Sequence, residues 1–341
     1  MNNMLLPLLL IVLASFFQGT FGLGMKRVKP LAWEAWWVIY AMVGMIALPL
    51  LWAAAVVPSL MDSIRAVPAG AVWIAASCGF LWGIGGILFG LSVNYVGLSL
   101  TYGIVMGLAG AAGSILPLLT AARPVSFSVK LAVVAGVIVM LAGVGLVAWA
   151  GIQRDRLFTT SVEGVCRGRQ FRIGLGVAVL CGLLSSLLNV GFDEAAPVAE
   201  AAAKGGAEVR NSSLAAWVVV LAGASLMNLL YSVFLLVKNA SWSSFASRKT
   251  GGAYGWAVLT GVLWFAALGV YGEGSALMGA LGPVIGWPML LGLALIVSNL
   301  WAIRAGEWRD AAEPLRLMWA GAATLIVACL ILGYSNSLPK G

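Results

Sequence analysis

Residues 71–93 read AVWIAASCGFLWGIGGILFGLSV, inside a longer run, Ala66 to Ala122, that contains no Asp, Glu, Lys or Arg. At ~1.5 Å rise per residue such a stretch crosses a hydrocarbon core ~30 Å thick as one helix. Outward from it, comparable stretches recur along the chain. The spans read as 4–23, 33–57, 71–93, 98–121, 127–150, 173–192, 214–237, 254–272, 279–303 and 315–334. The expectation is an all-α integral membrane protein of ten transmembrane helices. Composition agrees: 62% of the chain is hydrophobic, 9% is charged, and the mean hydropathy is +1.01, outside the range of a soluble domain.

Lys and Arg gather in alternate connections. One set holds Lys26, Arg27, Lys29, Arg154, Arg156, Arg167, Arg169, Arg172, Lys238, Arg248, Lys249, Arg304, Arg309 and Arg316. The other holds Arg65, Arg123, Lys130, Lys204, Arg210 and Lys340, a split of 14 against 6. The richer set is expected in the cytoplasm, with both termini facing outward. The net charge of +8 then reflects insertion and contact with anionic lipid. The basic residues are dispersed at helix ends, so nucleic acid is not an expected partner. Leu5–Ala14 lacks a basic leader and an A-x-A-like site, and is read as a retained first span. The four cysteines, Cys78, Cys166, Cys181 and Cys329, show no C-x-x-C spacing and are read as small packing residues.

The segment 151–172, a basic cytoplasmic linker, divides the chain into 1–150 and 173–341, five spans each. Five is odd, so the second half enters the membrane inverted, the plan of many secondary transporters. Leu81-Trp82, Phe89-Gly90 and Gly97 match Leu263-Trp264, Tyr271-Gly272 and Gly279 at one constant offset. Glycine, 43 of 341 residues, supplies close-packing faces at Gly79/Gly83, Gly86/Gly90, Gly103/Gly107 and Gly282/Gly286. Pro283 and Pro288 each remove an amide donor and predict a kink in the ninth span.

Chemistry in so apolar a chain rests on few residues. Glu273 is the one charge between Thr250 and Ile303, and Asp193, beside Glu194, ends the sixth span. Both are candidate proton-coupling carboxyls, Glu273 first, and the chain has no histidine to share the task. Glu34, among Trp33, Trp36 and Trp37, is read as an interfacial anchor. Gln18, Asn189, Asn228 and Asn299 carry amides into the spans, where each needs a partner. With Trp82, Tyr102, Trp264, Tyr271 and Trp287 they form a set suited to a sugar, amides for hydroxyl edges and rings for C–H faces. No cofactor and no metal is called for. The lack of H-E-x-x-H and of G-x-S-x-G argues against an enzyme, and the lack of a charged or carbonyl filter ring argues against a channel.

Lys26-Arg27-Val28-Lys29 leading to Trp33-Glu34, Leu81-Trp82-Gly83-Ile84-Gly85 through Phe89-Gly90-Leu91 to Tyr95-Val96-Gly97-Leu98-Ser99, Cys181-Gly182, Asn228-Leu229, Leu263-Trp264-Phe265 and Glu307-Trp308 resemble the bacterial L-rhamnose–proton symporter family, within the drug/metabolite transporter superfamily. The resemblance covers nearly the whole chain. It implies two inverted five-helix repeats and import of L-rhamnose or a related deoxyhexose with protons by alternating access. The chain departs from the family pattern at Ala266-Ala267, at Gly279-Ala280-Leu281-Gly282 and at Asp193-Glu194. The alternative is an exporter or facilitator of another small metabolite in the same superfamily.

Overall fold

A backbone without water around it must satisfy its own N–H and C=O groups, and a helix does so within one segment. The computed structural model describes residues 5–120, 125–158, 168–246 and 251–339, and among these the regular structure is helical throughout. The helices are α1 (Leu5–Thr20), α2 (Gly22–Met25), α3 (Trp33–Ala41), α4 (Leu48–Val56), α5 (Leu60–Arg65), α6 (Ala69–Val96) and α7 (Leu98–Thr120). They continue with α8 (Phe127–Phe158), α9 (Arg169–Glu194), α10 (Ala196–Lys204), α11 (Val209–Lys238), α12 (Gly251–Met278), α13 (Gly282–Arg304) and α14 (Ala312–Ser335). A π-helical turn, Met42–Ala47, joins α3 to α4. Nine apolar helical stretches among the described residues are long enough to cross a membrane, and the longest, Gly251–Arg304, contains both α12 and α13. Large apolar side chains lie open on the outside, among them Leu119 at 75%, Phe127 at 79% and Leu330 at 68% exposure. In water such faces would drive aggregation, whereas lipid solvates them. Arg123, Arg167, Arg248, Lys249, Lys340 and Cys166 lie outside the described residues.

The chain divides into two units, residues 1–83 with 190–279, and residues 84–189 with 280–341. Each unit draws helices from both halves of the sequence. In the first unit α1 runs antiparallel to α12, with Gly24 against Thr260 and Gly274 against Pro7, Leu10 and Ile11. The π-helical turn brings Gly44 onto Gly261, and α6 lies so close to α11 that a methyl at Gly79 would overlap the Val220 carbonyl and one at Gly223 the Ala76 carbonyl. Without a hydrophobic drive between lipid-embedded helices, such close backbone approach is what gains dispersion energy. In the second unit α8 and α14 pack antiparallel, Gly136 on Leu332, Gly143 on Leu325 and Val147 on Gly321. Around them Met140, Val144, Leu295, Met318 and Leu325 form a core at most 4% exposed.

The glycine expectation holds at Gly79, Gly83, Gly103 and Gly107, which abut Val220, Met227, Ala148 and Leu141. It fails at Gly86 and Gly90, where a methyl would meet nothing within 4 Å. Spacing identifies a small-residue stripe but not what lies opposite it. Gly97 and Gly279 follow the ends of α6 and α12 with φ of +86° and +73°, a left-handed conformation that a Cβ makes costly.

Candidate functional site

Trp82 and Trp264 fall at the midpoints of two 28-residue helices, α6 and α12. Within the first unit their rings stack, centroids 5.6 Å apart at 25°. Tyr40 meets Trp264 edge-on at 5.6 Å, and Trp37 lies 4.9 Å from Tyr40. Trp33 stacks on Trp37 at 4.8 Å and 17°. A continuous aromatic wall therefore runs from the start of α3 to the middle of α6 and α12. Trp36, Tyr40 and Trp264 are buried, whereas Trp37 and Trp82 are only half-buried. Sequence reading treated Trp33, Trp36 and Trp37 as a membrane-interface belt and passed over Tyr40. The missed signal is their spacing, i, i+3, i+4 and i+7, which puts all four on one helix face.

Asn228 joins this wall: its Oδ1 accepts from Trp37 Nε1 at 2.9 Å and its Nδ2 donates to the Ala224 carbonyl at 2.8 Å. Gln18 differs, because its Oε1 is shielded from solvent and has no hydrogen-bond donor. Between the antiparallel contacts at Gly24–Thr260 and Ile11–Gly274, Gln18 falls at the level of Trp264 to Leu268. A buried amide oxygen without a donor costs ~1–3 kcal/mol, and a ligand hydroxyl would remove that cost. Glu34 is a buried carboxylate, held by Asn239 Nδ2 at 3.1 Å and by the Ser241 hydroxyl. It ties α3 to the end of α11, a tighter role than an interfacial anchor.

A second aromatic cluster in the same unit joins Phe192, Trp217 and Tyr271, with Phe192 stacked on Trp217 at 4.4 Å. Gly272 leaves room for the Trp217 indole edge, and Tyr271 is fully buried. Asp193 follows Phe192 and lies within electrostatic reach of Tyr271 and Glu194. Glu273 instead lies within reach of Arg210 and Glu208, which pair with each other at 2.9 Å.

The other predicted residues belong to the second unit, where prolines explain their partners. Pro117 in α7 has no N–H for the carbonyl four residues back, Gly113, and Asn189 Nδ2 donates to that carbonyl at 2.7 Å. Pro288 in α13 leaves the Val284 carbonyl open in the same way, and Ser114 Oγ donates to it at 2.5 Å. Asn189 Nδ2 also reaches the Pro283 carbonyl at 3.0 Å, and Trp287 Nε1 donates to Ala109 at 3.1 Å. Asn189 and Trp287 thus clamp α7, α9 and α13 together. Asn299 Nδ2 bonds the Leu295 carbonyl of its own helix at 2.9 Å, and Tyr102 packs edge-on to Phe89 at 6.3 Å.

Two open concavities of about 430 and 510 Å³ lie at helix ends of the second unit, one at Arg169 and Arg172, the other at Arg156, Asp310 and Glu313. None of the predicted site residues lines either. No cluster of His, Cys, Asp or Glu fit to hold a metal occurs among the described residues.

Long apolar helices with large side chains open on their outer faces define a polytopic membrane protein, with indoles, a phenol and amides gathered among the helices. The L-rhamnose-proton symport protein family model matches residues 1–337. The chain belongs to that family, one of transporters and not of enzymes. Among its relatives, an L-rhamnose-proton symporter of Cronobacter sakazakii is 29% identical over 321 residues, covering 90% of this chain and 91% of the relative. Symporters of the same description from Klebsiella pneumoniae and Escherichia coli are each 27% identical, with the same coverage. A solved crystal structure superposes with a TM-score of 0.56 at 15% identity, covering 94% of this chain and 96% of the other, a likeness of fold alone.

Proposed function

We propose that this chain imports L-rhamnose, or a closely related deoxyhexose, together with protons across the bacterial inner membrane by alternating access. Family membership and relatives matched over nine-tenths of the chain support this reading. The observation that carries the site is the unpartnered Gln18 Oε1 at the level of the Trp82–Trp264 stack. A sugar offers hydroxyl donors for the amide oxygen and a C–H face for an indole, so one guest answers both features. Trp82 is the ring in contact, Trp264 its buried support, and Gln18 the hydroxyl acceptor.

The helix plan in this proposal has ten crossings, the break at Gly279 dividing α12 from α13, and both termini outside. The constant offset that relates α6 to α12, Trp82 to Trp264 and Gly97 to Gly279 supports an inverted repeat. Placement in the drug/metabolite transporter superfamily, which the family resemblance implies, is part of the same proposal. Proton binding falls to carboxylates, and Asp193 is the better supported of the two candidates. It borders the buried Phe192–Trp217–Tyr271 cluster, whereas Glu273 lies nearer to Arg210 and Glu208, which pair with each other.

Uptake of radiolabelled L-rhamnose into proteoliposomes, with and without an inwardly directed proton gradient, tests the reading. Accumulation above equilibrium only with the gradient is expected. Uptake that stops at equilibrium whether or not the gradient is imposed, or proton-driven extrusion, would instead establish the facilitator or exporter alternative.

A further inference from the structure

Both ends of the Asn228 amide are engaged within the protein. Its Oδ1 takes the Trp37 indole N–H at 2.9 Å, and its Nδ2 gives one hydrogen to the Ala224 carbonyl at 2.8 Å. It is buried, 6% exposed, and its place is fixed from a second side. Gly83, next to Trp82, lies against Met227 and Asn228, so a methyl there would be 3.1 Å from Asn228 Nδ2. Contacts therefore close a circuit through four helices, from Asn228 to Trp37, Tyr40, Trp264, Trp82 and back through Gly83. Within it Tyr40 and Trp264 are at most 3% exposed, and the rings left half-open are Trp37 and Trp82. An indole N–H buried in an apolar wall would otherwise swing to find an acceptor.

We propose that Trp37 is a second sugar-contacting ring beside Trp82, and that Asn228 is the positioning residue that aims it. The inference rests on the sugar-transport reading. Asn228 acts through Trp37 and touches no substrate itself. The guest meets the exposed part of each ring, Trp33 already covering one face of Trp37, and the hydrogen bond sets the plane of that ring. The circuit makes specificity for a particular sugar face a property of α3 and α11 as well as of α6 and α12.

The test is L-rhamnose uptake into proteoliposomes by wild type, Trp37→Leu, Asn228→Leu, Asn228→Asp and the double variant Trp37→Leu/Asn228→Leu. Trp37→Leu is expected to raise KM about tenfold with kcat within about twofold. Asn228→Leu should raise KM similarly, and add nothing in the double variant, because both changes remove one aimed ring. Asn228→Asp, held as the neutral acid at this buried position, keeps a carbonyl acceptor for Trp37 and a hydroxyl donor for Ala224, and should restore KM to within about threefold of wild type. Wild-type KM in Trp37→Leu, additive losses in the double variant, or Asn228→Asp as impaired as Asn228→Leu would each overturn the proposal. If a variant is not recovered as a monodisperse species, rhamnose protection of Trp37 against N-bromosuccinimide oxidation in wild type decides instead, read by peptide mass. No protection of Trp37 while Trp82 is protected would also overturn it. Wild type that neither takes up nor is protected by rhamnose sinks the transport reading, which separates that failure from this one.

Discussion

Asn189 donates its amide to Gly113, the carbonyl that Pro117 strands in the middle of α7. A membrane helix can keep an internal proline only if a neighbour covers the freed backbone oxygen. Ser114 does the same for Val284 below Pro288. Prolines and polar residues that look unrelated in the sequence are thus matched across helices.

Replacing Asn189 by Leu should therefore lower stability by about 1–2 kcal/mol, the range of interhelical polar contacts in membranes and of uncovered buried acceptors. The melting temperature in detergent should fall while the KM for sugar stays near wild type. A normal melting temperature with a raised KM would return Asn189 to the ligand.

Gly223 lets α11 touch the Ala76 carbonyl of α6. Gly223→Leu should cost at least ~1–3 kcal/mol of overpacking and part the two helices. Loss of the monodisperse peak in detergent gel filtration is the expected result. Gly86→Ala, where nothing lies within 4 Å, should leave that peak unchanged.

Trp82→Ala removes the open ring of the central stack, and a loss of ~0.5–1.5 kcal/mol of aromatic contact predicts a KM up to about tenfold higher. Gln18→Leu removes the unpartnered acceptor. It should weaken rhamnose binding yet raise the melting temperature of the empty carrier, since an uncovered polar atom is gone. Thermal shift with and without the sugar reads both effects together.

Asp193→Asn and Glu273→Gln separate the two carboxyls. The coupling residue, proposed as Asp193, should lose gradient-driven accumulation when neutralised and keep exchange of labelled for unlabelled sugar. The other variant should keep both. Accumulation intact in both variants would move the proton to a different group.

Trp33, Trp36, Trp37 and Tyr40 illustrate where sequence reading reached its limit. Their spacing puts them on one helix face, but an interface belt and an internal wall have the same spacing. Gly79 and Gly86 are likewise equivalent as letters, yet one meets a neighbouring backbone and the other meets nothing. Glu34 carries its own charge either way, and only Asn239 and Ser241, some two hundred positions on, make it an internal tie.

What the sequence determined by itself was the solvent and the period: long uncharged apolar runs admit only membrane helices, because a backbone in lipid must bond to itself. Tertiary structure decided which amide meets stranded carbonyls, as Asn189 does, and which oxygen is left without a donor, as on Gln18. That choice depends on the element lying opposite, and one-dimensional order carries no record of what lies opposite.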